Sequence, residues 1–260
     1  MIINDISTRI ETFFPLSYAC NWDNVGLIIG DRSANVTKVL LALDFDMEVA
    51  KEAKDVGAEL IVTHHPIMFD PINKINSDTP VGRALLFLIE NKIALYSAHT
   101  NMDCADGGTN DYLVNLYGFK NARHYDIEEG KTHGLSRISD LASPMTLKEL
   151  ASHIAKSLSI DTINYIGSDS SIIKTAFTCS GSGGSLITPD KHGLADVFIT
   201  GDLKYSAARN FHEQGLNVII AGHYETEIFA TDIFAKLLED LDVTTFKSKT
   251  NTNIVKSQEL

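Results

Sequence analysis

No stretch of the chain approaches the roughly 20 consecutive apolar residues that a membrane-spanning helix requires, and the N-terminal MIINDISTRIETFF carries acids where a signal peptide would be apolar. No membrane partner is expected, and the expected location is the cytoplasm. Cysteine is scarce: Cys20, Cys104 and Cys179 lie far apart with no C-x-x-C pair, which argues against a disulfide framework or a zinc ribbon. Basic residues are outnumbered, with 22 Lys and Arg against 34 Asp and Glu, and the net charge of −12 disfavours nucleic acid and anionic lipid as partners. What remains is 260 residues, 44% hydrophobic and 22% charged, the profile of a globular chain with room for one large domain or two ordinary ones.

Apolar runs of strand length recur at 36–43, 60–62, 93–97, 172–178, 197–200 and 218–221. Helical signals lie between them. Thr146 and Glu149 form a capping-box pattern that opens a segment with Leu147, Leu150, Ile154 and Leu158 at spacings of three and four. Alternating strands and helices predict an α/β class. The polar stretch 126–131 (DIEEGK) marks an exposed connection. It divides the chain into expected α/β lobes at 1–124 and 125–260, the C-terminal segment being free to pack back on the first.

The halves also resemble each other. VTKVLLAL at 36–43 is similar to IIKTAFTC at 172–179, AELIVT at 58–63 to ADVFIT at 195–200, and IALYSAH at 93–99 to VIIAGH at 218–223, all in the same order. Two similar lobes from an internal duplication are the expectation; the alternative is that buried α/β strands simply look alike.

Ligands of α/β sheets gather beyond the carboxyl ends of strands. There the sequence places His64-His65-Pro66, then His99 with Asp103 four residues on, then His223 with Glu227 four residues on. Pro66 favours an extended backbone before it, so the adjacent imidazoles are expected on opposite sides, serving two ions or flanking one cleft. A helix starting at His223 would put Glu227 on the same face, and Asp103 stands in the same relation to His99. Imidazole plus carboxylate without thiolate suits zinc, manganese, iron(II), nickel or cobalt. His124, His133, His153, His192 and His212 lack this setting and are read as surface or structural, and Cys104 as a buried thiol. The glycine-rich 179–185 (CSGSGGS) follows a strand and is either an anion-holding loop or a tight turn. The stretches 21–27 (NWDNVGL) and 200–205 (TGDLKY) line a pocket or serve the fold.

Taken together and in order, WDNVGL, THHP, HTNMD with Gly107 and Gly108, the 179–185 loop, TGDLKY and GHYETE resemble the NIF-three-like family, often labelled GTP cyclohydrolase 1 type 2 homologue. The resemblance spans nearly the whole chain. It implies two α/β lobes, a toroidal homo-hexamer and a dinuclear site, with His64, His65, Asp103, His223 and Glu227 as ligands of two divalent ions (zinc, iron, manganese or nickel). The length matches the short form without an inserted domain. Ser206 stands where the family often has histidine after TGDLKY. His99 is placed less firmly, as a ligand or as a donor to one.

The ligands divide between the lobes, the doublet and Asp103 in the first and His223 and Glu227 in the second, so the site is expected between them. A paired site acidifies bound water and favours hydrolysis; the family label implies opening of the guanine ring of GTP. The leading expectation is a hydrolase of GTP or a related nucleotide-like compound. A metal carrier or insertion factor and a regulatory ligand-binding assembly are the alternatives. Asp202, Lys204 and Glu225 are the polar residues left for acid/base work, and no spacing selects among them.

Overall fold

The continuous apolar runs become the centres of two sheets. The computed structural model describes residues 1–255, and the chain forms two compact units: Met1–Met102 with the segment from Ala230 onward, and Asp103–Phe229. The first begins α1 (Ile3–Phe13), β1 (Gly26–Ile29), β2 (Lys38–Ala42), α2 (Met47–Val56), β3 (Leu60–Thr63), α3 (Pro80–Asn91), β4 (Ala94–Ser97) and α4 (Thr100–Cys104). β2, β3 and β4 pair in parallel, and β1 lies antiparallel beside β4. Every residue of β3 and β4 is buried, which is why they read as unbroken apolar runs. Asp46 caps α2 by accepting from the Val49 amide, and Gly57 ends it at φ 71°. The helix thereby lays Val49, Ala50 and Ala53 on the core around Leu40, Ile61 and Leu95.

The second unit runs α5 (Thr109–Leu116), β5 (Lys120–Tyr125), β6 (Ser136–Thr146), α6 (Leu147–Leu158), β7 (Asn164–Ile166), β8 (Ile172–Cys179), β9 (Val197–Thr200), α7 (Tyr205–Glu213), β10 (Val218–Ile220) and α8 (His223–Glu227). The Thr146/Glu149 capping box opens α6 as expected and buries Leu147, Leu150, Ile154 and Leu158. The chain then returns to the first unit as α9 (Ala230–Leu238) and β11 (Thr244–Lys247), which pairs in parallel with β2.

The sheet orders are β1-β4-β3-β2-β11 and β5-β6-β8-β9-β10-β7. Within them β1-β4-β3-β2 and β7-β10-β9-β8 have the same pairing directions, two parallel ladders and an antiparallel edge. The apolar runs found in the sequence are β2, β3, β4, β8, β9 and β10, the strands of the parallel ladders. The remaining strands β1, β5, β6, β7 and β11 pair antiparallel or end a sheet; β1 is short and apolar, and the other four carry exposed polar residues.

Packing does not divide the chain after residue 124. The stretch 126–131 lies in the connection of an antiparallel pair, flanked by Tyr125 opposite Ser136 and His124 opposite Arg137. Its polarity is that of a solvated hairpin loop, which composition alone does not distinguish from a lobe linker.

Candidate metal centre

In the first unit the ends of β3 and β4 bring three imidazoles together. The donor atoms of His64, His65 and His99 lie within 4.8 Å of one another, and their ring centroids are 5.0–5.3 Å apart. The doublet does not splay to opposite sides, because the chain bends at His64 and His65 instead of continuing as a strand. Each ring turns Nδ1 to an oxygen: His64 to the Ala98 carbonyl at 2.9 Å, His65 to Asp44 at 2.7 Å and His99 to Asp23 at 3.0 Å. An acceptor at Nδ1 draws the proton there and leaves the Nε2 lone pair for a metal.

Asp23 also accepts from the Thr100 amide and hydroxyl. Burial opposes its ionisation, but hydrogen bonds from His99 and Thr100 and the nearby ring outweigh that and hold its carboxyl down at about 2. The motif around the single tryptophan thus has a definite use. Asp23 orients His99, while Trp22, 58% exposed, sets its ring 5.9 Å from that of His99 and 6.1 Å from that of Phe69.

In the second unit α8 begins at His223, so Glu227 falls one turn on, and His223 Nε2 lies 2.9 Å from Glu227 Oε2. The other ring nitrogen faces Asp202 at 2.6 Å. The Glu227 hydrogen bond, opposed by burial and aided by the charges of Glu227 and Asp202, lifts the His223 imidazolium to about 9. Asp103, buried in α4, accepts from the Thr109 hydroxyl. Burial pushes the Cys179 thiol well up, and the charges of Asp103, Asp126 and Glu227 add to it.

The glycine-rich loop serves these side chains. A Cβ on Gly181 would stand 2.0 Å from Glu227 Oε1, and one on Gly201 would stand 2.7 Å from the Gly181 carbonyl and 2.9 Å from His223 Cα. Two loop amides are already engaged, Ser180 with Asn110 and Gly181 with Thr226. Gly181 is thus required by its close approach to α8, while a Cβ on Gly183 would meet the Cys179 side chain and one on Gly184 the Asp202 carbonyl.

Of the residues considered for acid/base work, Asp202 is the carboxylate that orients His223. Lys204 stands at the N-cap of α7 and Glu225 in the first turn of α8. His99 is not the positional equal of His223. Ala98 and Ala221 donate to Thr63 and Thr200 respectively, so His99 is level with Gly222 and precedes its helix. The orienting roles of Asp23, Asp44 and Asp202 are not apparent in the sequence, although Asp23 and Asp202 lie within the stretches 21–27 and 200–205 and Asp44 directly follows the run 36–43. Another group, Asp106, His124 and His133, also converges.

Fold and site together define an α/β protein with imidazole and carboxylate donors fit for a borderline divalent metal. Among the described residues no helix is long and apolar enough to cross a membrane. The Duf34/NIF3 (NGG1p interacting factor 3) family model matches residues 1–256, and the chain belongs to that family. It is 42% identical to a Clostridium perfringens GTP cyclohydrolase 1 type 2 homolog, over 87% of each chain. A Clostridium acetobutylicum protein of the same description is 36% identical over 98% of this chain and 95% of its own. The crystal structure of a Staphylococcus aureus hypothetical protein superposes with a TM-score of 0.89 at 27% identity, over 99% of each chain.

Proposed function

We propose that His64, His65, Asp103, His223 and Glu227 hold two divalent ions, drawn from zinc, iron, manganese and nickel, and that the protein is a metal-dependent hydrolase of GTP or a related nucleotide-like compound. One observation carries this reading: His64, His65, His99 and His223 each turn Nδ1 to an oxygen acceptor. Metal-ligating histidines are fixed in that way, and a set of merely structural histidines has no reason to share it. The donor set fits a borderline metal, with carboxylates added to imidazoles and no thiolate.

When bound, two such ions supply an acidified water and an electrophilic pole for the attacked group. The chain's own residues do the positioning. Asp44, Asp202 and the Ala98 carbonyl hold the ligand rings, and Asp23 holds His99 beside them. Trp22 and Phe69 offer an apolar wall on which a planar base can rest. The relatives described as GTP cyclohydrolase 1 type 2 homologs support the choice of GTP as first substrate. The family resemblance supports a toroidal homo-hexamer in the cytoplasm, which sedimentation and fractionation test.

We infer also that the chain is an internal duplication. The sequence α1-β1-β2-α2-β3-α3-β4-α4-α5-β5 is answered by α6-β7-β8-β9-α7-β10-α8-α9-β11, with the glycine-rich segment in place of α2 and with β6, between the two series, as an addition without a counterpart. On this reading residue 124 lies at the end of a repeat. Packing divides the chain elsewhere because α5 and β5 join the sheet of the second repeat, while α9 and β11 join that of the first.

The test is a metal-loaded assay against GTP and a nucleotide panel, run beside Glu227→Ala. Turnover should fall in the variant together with bound metal, by more than the roughly 10–100-fold typical of losing a supporting hydrogen bond. If the wild type turns over nothing while the variant still loses metal, the hydrolase reading fails and a metal carrier replaces it.

A further inference from the structure

Asp106 lies in the turn between α4 and α5, His124 in β5 and His133 in the connection from β5 to β6. These three segments bring one carboxylate and two imidazoles together with donor atoms within 4.8 Å of one another. The carboxylate is shared: Oδ1 lies 2.8 Å from His124 Nε2 and Oδ2 lies 3.6 Å from His133 Nε2. The rings meet edge-on, with centroids 4.7 Å apart and planes at 77°. Both imidazole side chains are only 20% exposed while Asp106 is 78% exposed, so the group has a sheltered floor and an open side.

We propose that Asp106, His124 and His133 form an additional site for one borderline divalent metal ion, of the class of zinc, nickel, cobalt(II) or copper(II). Its ligands are none of the five assigned above. Two imidazoles and a carboxylate select that class over calcium and magnesium, which take oxygen ligands, and over copper(I), which seeks sulfur. Three protein donors leave positions for water.

The group is held by a buried cation. Arg137, 1% exposed, donates to the Cys104 carbonyl at 3.2 Å and the Ala105 carbonyl at 3.0 Å, just before Asp106, and to the Gly134 carbonyl at 2.8 Å, just after His133. It also stands opposite His124 in the β5–β6 register. The guanidinium thus ties the segments that carry Asp106 and His133, and strand pairing holds the segment of His124 beside them, which lowers the ordering cost of binding.

Ring protonation agrees with ligation at modest cost. His133 Nδ1 faces the Thr132 hydroxyl at 2.8 Å, which can accept its proton and leave Nε2 for the metal. His124 must carry its proton on Nδ1, giving up a contact from the Gly134 amide that is already long at 3.4 Å. In the metal-free protein the His124 hydrogen bond holds the Asp106 carboxyl below its ordinary range, and ligation would replace that bond by the metal.

The test uses the full chain carrying His65→Ala and His223→Ala, stripped with chelator, so that the metal set of the proposed function is disabled. Calorimetric titration with Ni2+ should find about one ion per chain. Adding His124→Gln and His133→Gln should weaken that binding by at least about 100-fold. Hydrogen exchange across 126–133 should slow on Ni2+ addition in the parent and not in the variant. If the added substitutions unfold the chain, His133→Gln alone is used, with matching melting curves in chelator as the check. A parent that binds no Ni2+, or binding that the glutamines leave unchanged, overturns the site. Neither result bears on turnover by the wild type, so this proposal and the hydrolase reading can fail separately.

Discussion

The two units make the same three-strand parallel ladder and end it differently. After Thr63 of β3 come two imidazoles; after Thr200 of β9 come Gly201 and Asp202. His65 and Asp202 each stand two residues past the last pair of their strands and each donates across its ladder, to Leu43 and to Gly181, the second acceptor lying one residue further along its strand. The reason for the difference is space. A side chain at Gly201 would meet the Gly181 carbonyl and His223 Cα, both backbone atoms, whereas in the first unit the chain bends and seats a buried His64 and a half-buried His65. One ladder can therefore present a doublet at this level, and the other supplies only the carboxylate that orients a histidine from the next strand. A common topology sets where donors appear, and local closeness of backbone sets which donors fit.

Gly201→Ala attacks this explanation most directly. Its Cβ has no flexible neighbour to displace on two sides, so a loss of about 2–4 kcal/mol is expected from overpacking. The denaturant midpoint measures it, and a variant as stable as wild type would end the steric account. Next in size is the comparison of Asp44→Asn with Asp202→Asn, one orienting carboxylate from each unit. Each should weaken metal binding by about 10–100-fold. Ni2+ quenching of Trp22 fluorescence should register Asp44→Asn, because that ring sits 5.9 Å from His99; equal affinity in all three proteins would remove the orienting role.

A smaller effect separates the units by pH. In chelated protein the folded-state His223 titrates near 9, above its ordinary 6.5. Its protonation therefore stabilises the fold fully below pH 6.5, and that contribution is lost as pH rises through about 9. Melting temperature should decline across this window in wild type and decline less in Glu227→Gln. The smallest effect concerns the return of the chain to the first unit. Glu52 accepts from Ser248, Lys249 and Thr250 just beyond β11. Burial works against its ionisation, but these bonds hold its carboxyl below the ordinary value of 4.5. Its contribution is present above that value and is lost as pH falls through the lowered one. Glu52→Gln should cost roughly 1 kcal/mol at neutral pH, and a difference that persists undiminished in acid would contradict the assignment.

Much of the fold was legible because doubly buried strands leave a simple signal. The runs that form β3, β4 and β9 are buried throughout, and those of β2, β8 and β10 over most of their length, whereas β5, with Lys120, Arg123 and His124, carries no mark of sheet membership. The candidate ligands were legible as polar residues placed directly after such strands. The carboxylates behind them were not. Asp23 is 76 positions from His99 and Asp202 is 21 from His223, and no periodicity links residues that meet only because strands lie side by side. His124 and His133 were set aside for the same cause: their convergence on Asp106 depends on the β5–β6 hairpin and on Arg137 beneath it.

The sequence by itself determined the α/β class, the capping of α6, the family, and the histidines and acids that close its strands. These follow from burial, backbone preference and residue chemistry, which act over a few positions. Tertiary structure decided that α9 and β11 return to the first sheet while α5 and β5 belong to the second. It decided too that the doublet bends to one side, and that each imidazole has its own oxygen. Such facts depend on which distant segments pack together, and packing is a property of the whole chain.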